Sequence, residues 1–298
     1  MSLFELLVSQ VMREKTALNS VAMVVEKELL QHDILREMSG SGLLEKLTFM
    51  GGTCLRTCYG SNRLSEDLDF TGGSNFSRES LEPLQALLIE KLRAKYGLDV
   101  EVSEPKRETG NVDTWKMKMV TRPEQKGTPV QRINIDICAV PSYDRRPMML
   151  RNHYGVDMGT SGLILQAESR EEILADKLVA LALRPGRIKN RDLWDIVWLK
   201  QQGILLPMAL LEKKIIDHHQ TVDGFVTVLA SRREFLVVDD GVRIAFEQEM
   251  KRFLPLNIVR ETLDNKDFWV YVANLITAEC NQVAGLLSGS VVKPLFNM

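Results

Sequence analysis

Cysteine is scarce, with four in 298 residues, at Cys54, Cys58, Cys138 and Cys280. No second Cys or His pair stands at zinc-ligand spacing from Cys54 and Cys58, which argues against a structural zinc site. These two share a helix face and read as small buried side chains rather than a metal or redox pair. Reduced thiols fit a cytoplasmic setting. A surplus of positive charge is also missing. The formal net charge of −2 argues against a protein held to nucleic acid by bulk charge alone. A local basic groove from Arg145, Arg146, Arg184, Arg187, Lys189 and Arg191 remains open. No run approaches the roughly 20 apolar residues of a membrane-spanning helix. The first five residues, Met1 to Glu5, lack a basic region followed by an apolar run, so neither membrane nor leader is expected. Internal repeats, low-complexity segments and an obvious linker are absent. What is left, 45% hydrophobic and 26% charged, is ordinary for a globular protein of one large or two moderate domains.

Apolar spacing predicts helices up to about residue 38, stopped by Ser39-Gly40-Ser41-Gly42. Leu47 to Met50 reads as a short buried strand ending at Gly51-Gly52, with a short helix from Thr53 to Tyr59. Asp67 to Thr71 alternates like a strand, and Leu81 to Tyr96 has the apolar face of a helix. Leu98 to Val102, Thr114 to Thr121 and Arg132 to Ile137 read as strands, the last in strict alternation, and Arg145-Arg146-Pro147 opens a loop. From Ser169 the pattern turns helical, with Ser169 and Glu172 at capping-box spacing. The expectation is an α+β fold in two parts: a core over residues 1–160 with N-terminal helices, then a helical part over 161–298.

Three features carry chemistry. A strand–Gly-Gly–helix turn lets backbone approach a ligand closely and points free N–H groups at it, which favours phosphate, and Thr53 adds a hydroxyl. Asp67 and Asp69, at i and i+2 of a strand, share a face while Leu68 and Phe70 point inward. Two carboxylates held together call for a divalent cation, and magnesium takes one or two of them while leaving room for substrate phosphates. Asp136 shares the polar face of its strand with Asn134; if that strand lies beside Asp67–Asp69, three carboxylates converge, enough for two metals. Each feature alone has a plain counterpart: a turn, an acidic strand edge, a half-exposed strand.

Phe49-Met50-Gly51-Gly52-Thr53-Cys54-Leu55-Arg56 followed by Arg63-Leu64-Ser65-Glu66-Asp67-Leu68-Asp69-Phe70 resembles the first motif of the AbiEii-type nucleotidyltransferase toxins, relatives of the MenT toxins in the polymerase-β-like superfamily. Thr53 stands where that superfamily usually has Ser, and Asp136 matches its third carboxylate. Ile173 to Leu181, with Lys177, resembles the family's lysine motif, and Arg191-Asp192-Leu193-Trp194-Asp195 its Arg-Asp-x-x-Asp motif. The resemblance spans roughly residues 47 to 200. It implies a polymerase-β-like mixed sheet followed by helices. It also implies a cytoplasmic toxin of a toxin–antitoxin or abortive-infection (phage defence) system, with an antitoxin encoded nearby. The implied reaction moves a nucleotide from an NTP to an acceptor hydroxyl, the tRNA 3′ end, with Mg²⁺ or Mn²⁺. Asp67, Asp69 and Asp136 would hold metal. Gly51, Gly52, Thr53, Arg56 and Lys177 would hold the nucleotide, and Lys177 and Asp192 would complete the catalytic set. Arg56 and Arg63 stand open between contact with phosphate or RNA and a structural salt bridge. Lys177 alone would also fit a snorkelling surface lysine. Asp195 has a structural reading, and Trp194 and Trp198 read as core. Nucleotidylation or phosphorylation of a protein or small molecule, or a non-catalytic nucleotide-binding module, are the alternatives.

Overall fold

A computed structural model describes residues 2–106, 111–124, 130–238 and 240–289. The chain divides into two compact units. The first runs to Ser169 and takes back Arg252–Asn257; the second holds Arg170–Lys251 and the residues from Ile258 on.

The first unit opens with helix α1, Leu3–Glu14, whose N-terminus is fixed by a capping box. Glu5 N–H donates to Ser2 Oγ at 3.2 Å, and Ser2 N–H to Glu5 Oε2 at 2.7 Å. A 3₁₀ stretch, Thr16–Val21, leads into α2, Ala22–Gly40. Then come β1 (Thr48–Met50), a helix α3 at Gly51–Cys54 that widens into a π-turn over Leu55–Tyr59, and β2 (Leu68–Thr71). Helix α4, Leu84–Tyr96, buries Leu84, Leu88, Leu92 and Tyr96 in one four-residue stripe and ends on Gly97 at φ 64°. Strands β3 (Val100–Ser103), β4 (Val112–Met119), β5 (Gln131–Cys138), β6 (Arg145–Met149) and β7 (Ile164–Glu168) follow.

All seven strands form one mixed sheet in the order β3-β4-β5-β2-β1-β7-β6. The β2–β5 and β1–β7 pairs are parallel and the others antiparallel. On β5, Gln131, Ile133, Ile135 and Ile137 are buried, while Arg132, Asn134 and Asp136 face the other way. Helices α2 and α4 pack on the apolar side, which leaves the polar side for the chemistry. One expectation fails here. Arg145-Arg146-Pro147 does not open a loop but starts β6, with Pro147 opposite Gln166 on β7. Proline lacks the N–H that a central strand needs. β6 is the end strand, so one of its sides has no ladder to complete. Because β7 belongs to this sheet, the division between units falls after Ser169 rather than after residue 160.

The second unit is helical: α5 (Arg170–Leu183), α6 (Asn190–Gln201), α7 (Met208–Asp217), α8 (Val222–Val238), α9 (Asp240–Met250), the end of α10 (Leu256–Glu261) and α11 (Lys266–Leu287). Its core includes Trp194, stacked at 6.5 Å on Phe246 and 5.8 Å from Phe268, and buried Trp198. Both tryptophans therefore pack as expected. Among the described residues, no helix is long and apolar enough to cross a membrane.

Candidate active site

The turn after β1 is shaped by what crowds it. Gly51 sits at φ 75°, and a Cβ there would lie 2.7 Å from Asp69 Oδ2. A Cβ on Gly52 would lie 2.1 Å from Arg63 Nη2. Both glycines thus admit a neighbouring charged side chain, one a carboxylate and one a guanidinium, against bare backbone. The helix begins at Gly51, two residues before the Thr53 start expected from sequence.

Thr53 is fully buried. Its hydroxyl, expected to face phosphate, donates instead to the Asp67 carbonyl and lies 2.8 Å from Ser65 Oγ. It ties the segment before β2 to the glycine turn. Arg56 is corrected in the same sense. It is buried, with Nε 3.2 Å from Glu28 Oε2 and Nη1 donating to the Ser61 carbonyl at 2.9 Å, so of its two readings the structural ion pair holds. Burial works against its charge, but Glu28 and Tyr154 outweigh this and raise its pKa. Arg63 is also buried and donates to the Leu64 carbonyl at 2.9 Å.

The three aspartates occupy neighbouring positions at β2 and β5. Asp69 is paired in register with Met50 on β1 and with Asp136 on β5, while Leu68 and Phe70 are buried beneath. Asp67, just ahead of β2, accepts the Asn134 N–H at 3.0 Å through Oδ1. The aspartates are half-buried. Among the described residues, no three His, Cys, Asp or Glu side chains form a ready metal cage. Magnesium does not need one: adjacent hard carboxylates with open positions for substrate oxygens are the donor set it takes. Cys54, next to the turn, has its thiol pushed well above the usual range by burial, a hydrogen bond with the Cys58 thiol and the charges of Glu168 and Asp69. It is an inert packing group.

In the second unit, α5 carries Lys177 and α6 carries Asp192 and Asp195. Lys177 Nζ lies 2.7 Å from Asp192 Oδ1 and 2.8 Å from Asp195 Oδ2, and Arg184 Nη2 lies 3.1 Å from Asp192 Oδ2. Burial alone would push the Asp192 carboxyl up, but Lys177, Lys189 and Arg184 together hold it below its ordinary value. Both carboxylates therefore orient one ammonium, which leaves Lys177 no simple surface lysine. Of the six residues considered for a basic groove, three are in ion pairs: Arg146 with Asp144, Arg184 with Asp192 and Arg191 with Glu249.

Residues 33–274 match the model of the nucleotidyl transferase AbiEii toxin family, type IV toxin–antitoxin systems. The chain belongs to the AbiEii nucleotidyltransferase toxin family. Among solved structures it shares its fold with MenT4, a nucleotidyltransferase toxin of Mycobacterium tuberculosis H37Rv, at TM-score 0.51 and 17% identity over 94% of this chain and 98% of that one. JHP933 from Helicobacter pylori aligns at TM-score 0.48 and 17% identity, over 89% of this chain and 94% of that one. A search of curated proteins finds no match.

In this AbiEii chain the residues that sequence reasoning missed lie ahead of the matched span. Glu28, on α2, is buried; its Oε1 accepts the Ser65 N–H at 2.9 Å, and its Oε2 accepts from Arg56 Nε and from the Tyr154 hydroxyl. Gln31 Nε2 donates to the Ser65 carbonyl at 3.3 Å. The part of α2 that precedes the family match thus clamps the segment that delivers Asp67. The signal was a carboxylate set among Val24, Val25, Leu29 and Leu30, since a charge buried in such a face must have partners.

Proposed function

We propose that this toxin moves a nucleoside monophosphate from an NTP to an acceptor hydroxyl, the 3′ end of tRNA, and so blocks translation. The carrying observation is the register that sets Asp136 beside Asp69, next to the Gly51 turn and with Asp67 anchored on β5. The acceptor oxygen forms a bond to the α-phosphorus, the bond from that phosphorus to the bridging oxygen breaks, and pyrophosphate leaves with the electron pair. Asp136 accepts the hydroxyl proton. A bound Mg²⁺ or Mn²⁺ on Asp67, Asp69 and Asp136 would supply charge neutralisation at the phosphates. The glycine turn offers its backbone N–H groups to the triphosphate, and Lys177, oriented by Asp192 and Asp195, is assigned to the same group. Thr53 and Arg56 hold the scaffold rather than the nucleotide. The protein's work is positioning and charge compensation. Family membership supports a cognate antitoxin, proposed to be encoded nearby.

Labelled NTPs incubated with the protein, Mg²⁺ and total tRNA test the proposal. The expected result is label on tRNA, reduced at least about 1,000-fold in Asp69→Asn. Label on a protein or small molecule instead would redirect the acceptor. No label on anything, with a related toxin active in parallel, would overturn the reading.

A further inference from the structure

Nucleotide transfer needs separate approaches for the NTP and the acceptor, and the sheet order provides them. The Gly51-Gly52 turn follows β1, on one side of β2, whereas Asp136 stands on β5, on the other side, with β4 beyond it. On that far side the open face is basic. Register sets Thr114 opposite Asp136, Lys116 opposite Asn134 and Lys118 opposite Arg132. Directly opposed residues of antiparallel strands point the same way, so all of these share the face of Asp136. Lys116, Lys118 and Arg132 are exposed, while Trp115, Met117 and Ile133 between them are buried beneath. Like charges placed directly opposite, as Lys118 and Arg132 are, work against sheet stability. Among the described residues only Glu101 answers them, 3.4 Å from Lys118 Nζ, and Lys116 and Arg132 have no ion-pair partner. Beside Lys116 a cavity of about 100 Å³ is lined by Ser103, Glu104, Lys106 and Thr114. Arg132 in turn borders a groove of about 520 Å³ that also holds Arg252 and the Lys27–Glu66 ion pair.

A chain of net charge −2 thus concentrates cations where they oppose one another, one strand from the proposed base. We infer that this face seats the backbone of a single-stranded polynucleotide acceptor. Its phosphates lie on Lys116, Lys118 and Arg132, and its terminal hydroxyl reaches Asp136. The inference rests on the nucleotide-transfer reading, and in particular on Asp136 serving the acceptor. Cationic side chains two apart on a strand are about 6.7 Å apart, a ladder that a flexible strand can follow. The face presents Thr, Lys, Asn and Arg but no aromatic, so it grips phosphate without stacking bases and reads no sequence.

The test titrates a fluorescein-labelled single-stranded RNA of about 12 nucleotides against the full-length protein at several salt concentrations. The variants are K116Q/K118Q/R132Q and, as control, K46Q/K91Q on exposed positions elsewhere. A Mg-bound fluorescent ATP analogue is titrated in parallel. The triple variant is expected to bind RNA at least about tenfold more weakly, with a salt slope shallower by about 2, while the control and ATP-analogue binding stay unchanged. Equal RNA affinity in the triple variant, no RNA binding by the parent, or a loss confined to the ATP analogue would each overturn the inference. If the parent binds no RNA yet labels a protein or small molecule, this inference falls and nucleotide transfer stands; if it labels nothing, the transfer reading itself falls.

Discussion

At the scale of single residues, Gly51 and Lys177 separate two kinds of dependence. Gly51→Ala places a methyl 2.7 Å from Asp69 Oδ2 at a φ of 75°. The left-handed backbone costs about 1–2 kcal/mol, while the displaced carboxylate removes a proposed metal ligand. We expect transfer to fall at least about 100-fold with only a small drop in thermal midpoint, read by parallel labelling and melting. Lys177→Met has a different signature. It leaves Asp192 and Asp195 buried against each other without their shared ammonium, a change that costs about 3–5 kcal/mol. Adding Asp195→Asn removes one uncompensated charge, so the double variant should recover most of that stability in urea unfolding yet stay inactive. Recovery of activity as well would remove Lys177 from the chemistry.

At the scale of elements, the α2 clamp makes the sharpest prediction. Glu28→Gln replaces a carboxylate that accepts from Ser65, Arg56 and Tyr154 by an amide with one acceptor oxygen, and it leaves the Arg56 charge without its partner. The expected cost is about 2–4 kcal/mol, together with a higher Mg²⁺ concentration for half-maximal transfer, because the segment before Asp67 loses its anchor. An unchanged Mg²⁺ requirement would mean that the clamp serves stability alone. The same elements show what a sequence discloses. Strand β5 was legible because Ile133, Ile135 and Ile137 alternate with polar residues, and that alternation also puts Asp136 on the right face. Strands β6 and β7 were not: Pro147 reads as a break unless the strand is known to be an edge, and edge position is a property of the whole sheet. Thr53 and Arg56 were found by motif, but the hydroxyl's partner and the choice between Arg56's two readings were not, because burial depends on residues elsewhere in the chain, here Asp67 and Glu28. The short helix α10 carries too few residues for a period and was not read at all.

At the scale of the whole molecule, stability is tied to pH through a buried histidine. His32, on α2, packs in the interior with Nδ1 3.0 Å from Thr160 Oγ1. Burial above all lowers its pKa from 6.5 to about 4, against the charge of Glu28. A base with a depressed folded pKa binds its proton more tightly when unfolded. Its contribution is therefore complete above about pH 6.5 and drains away as pH falls toward 4. Urea unfolding should show a loss on the order of 3 kcal/mol across that window, flattened in His32→Gln; an equal loss in the variant would assign it to other groups. The first unit is also discontinuous: it recovers Arg252–Asn257 late in the chain, and the Leu64 N–H donates to the Phe253 carbonyl at 2.8 Å. One of the anchors of the segment leading to Asp67 is thus supplied from far along the chain, and the set that Glu28 and Gln31 begin is complete only once residue 253 has been made.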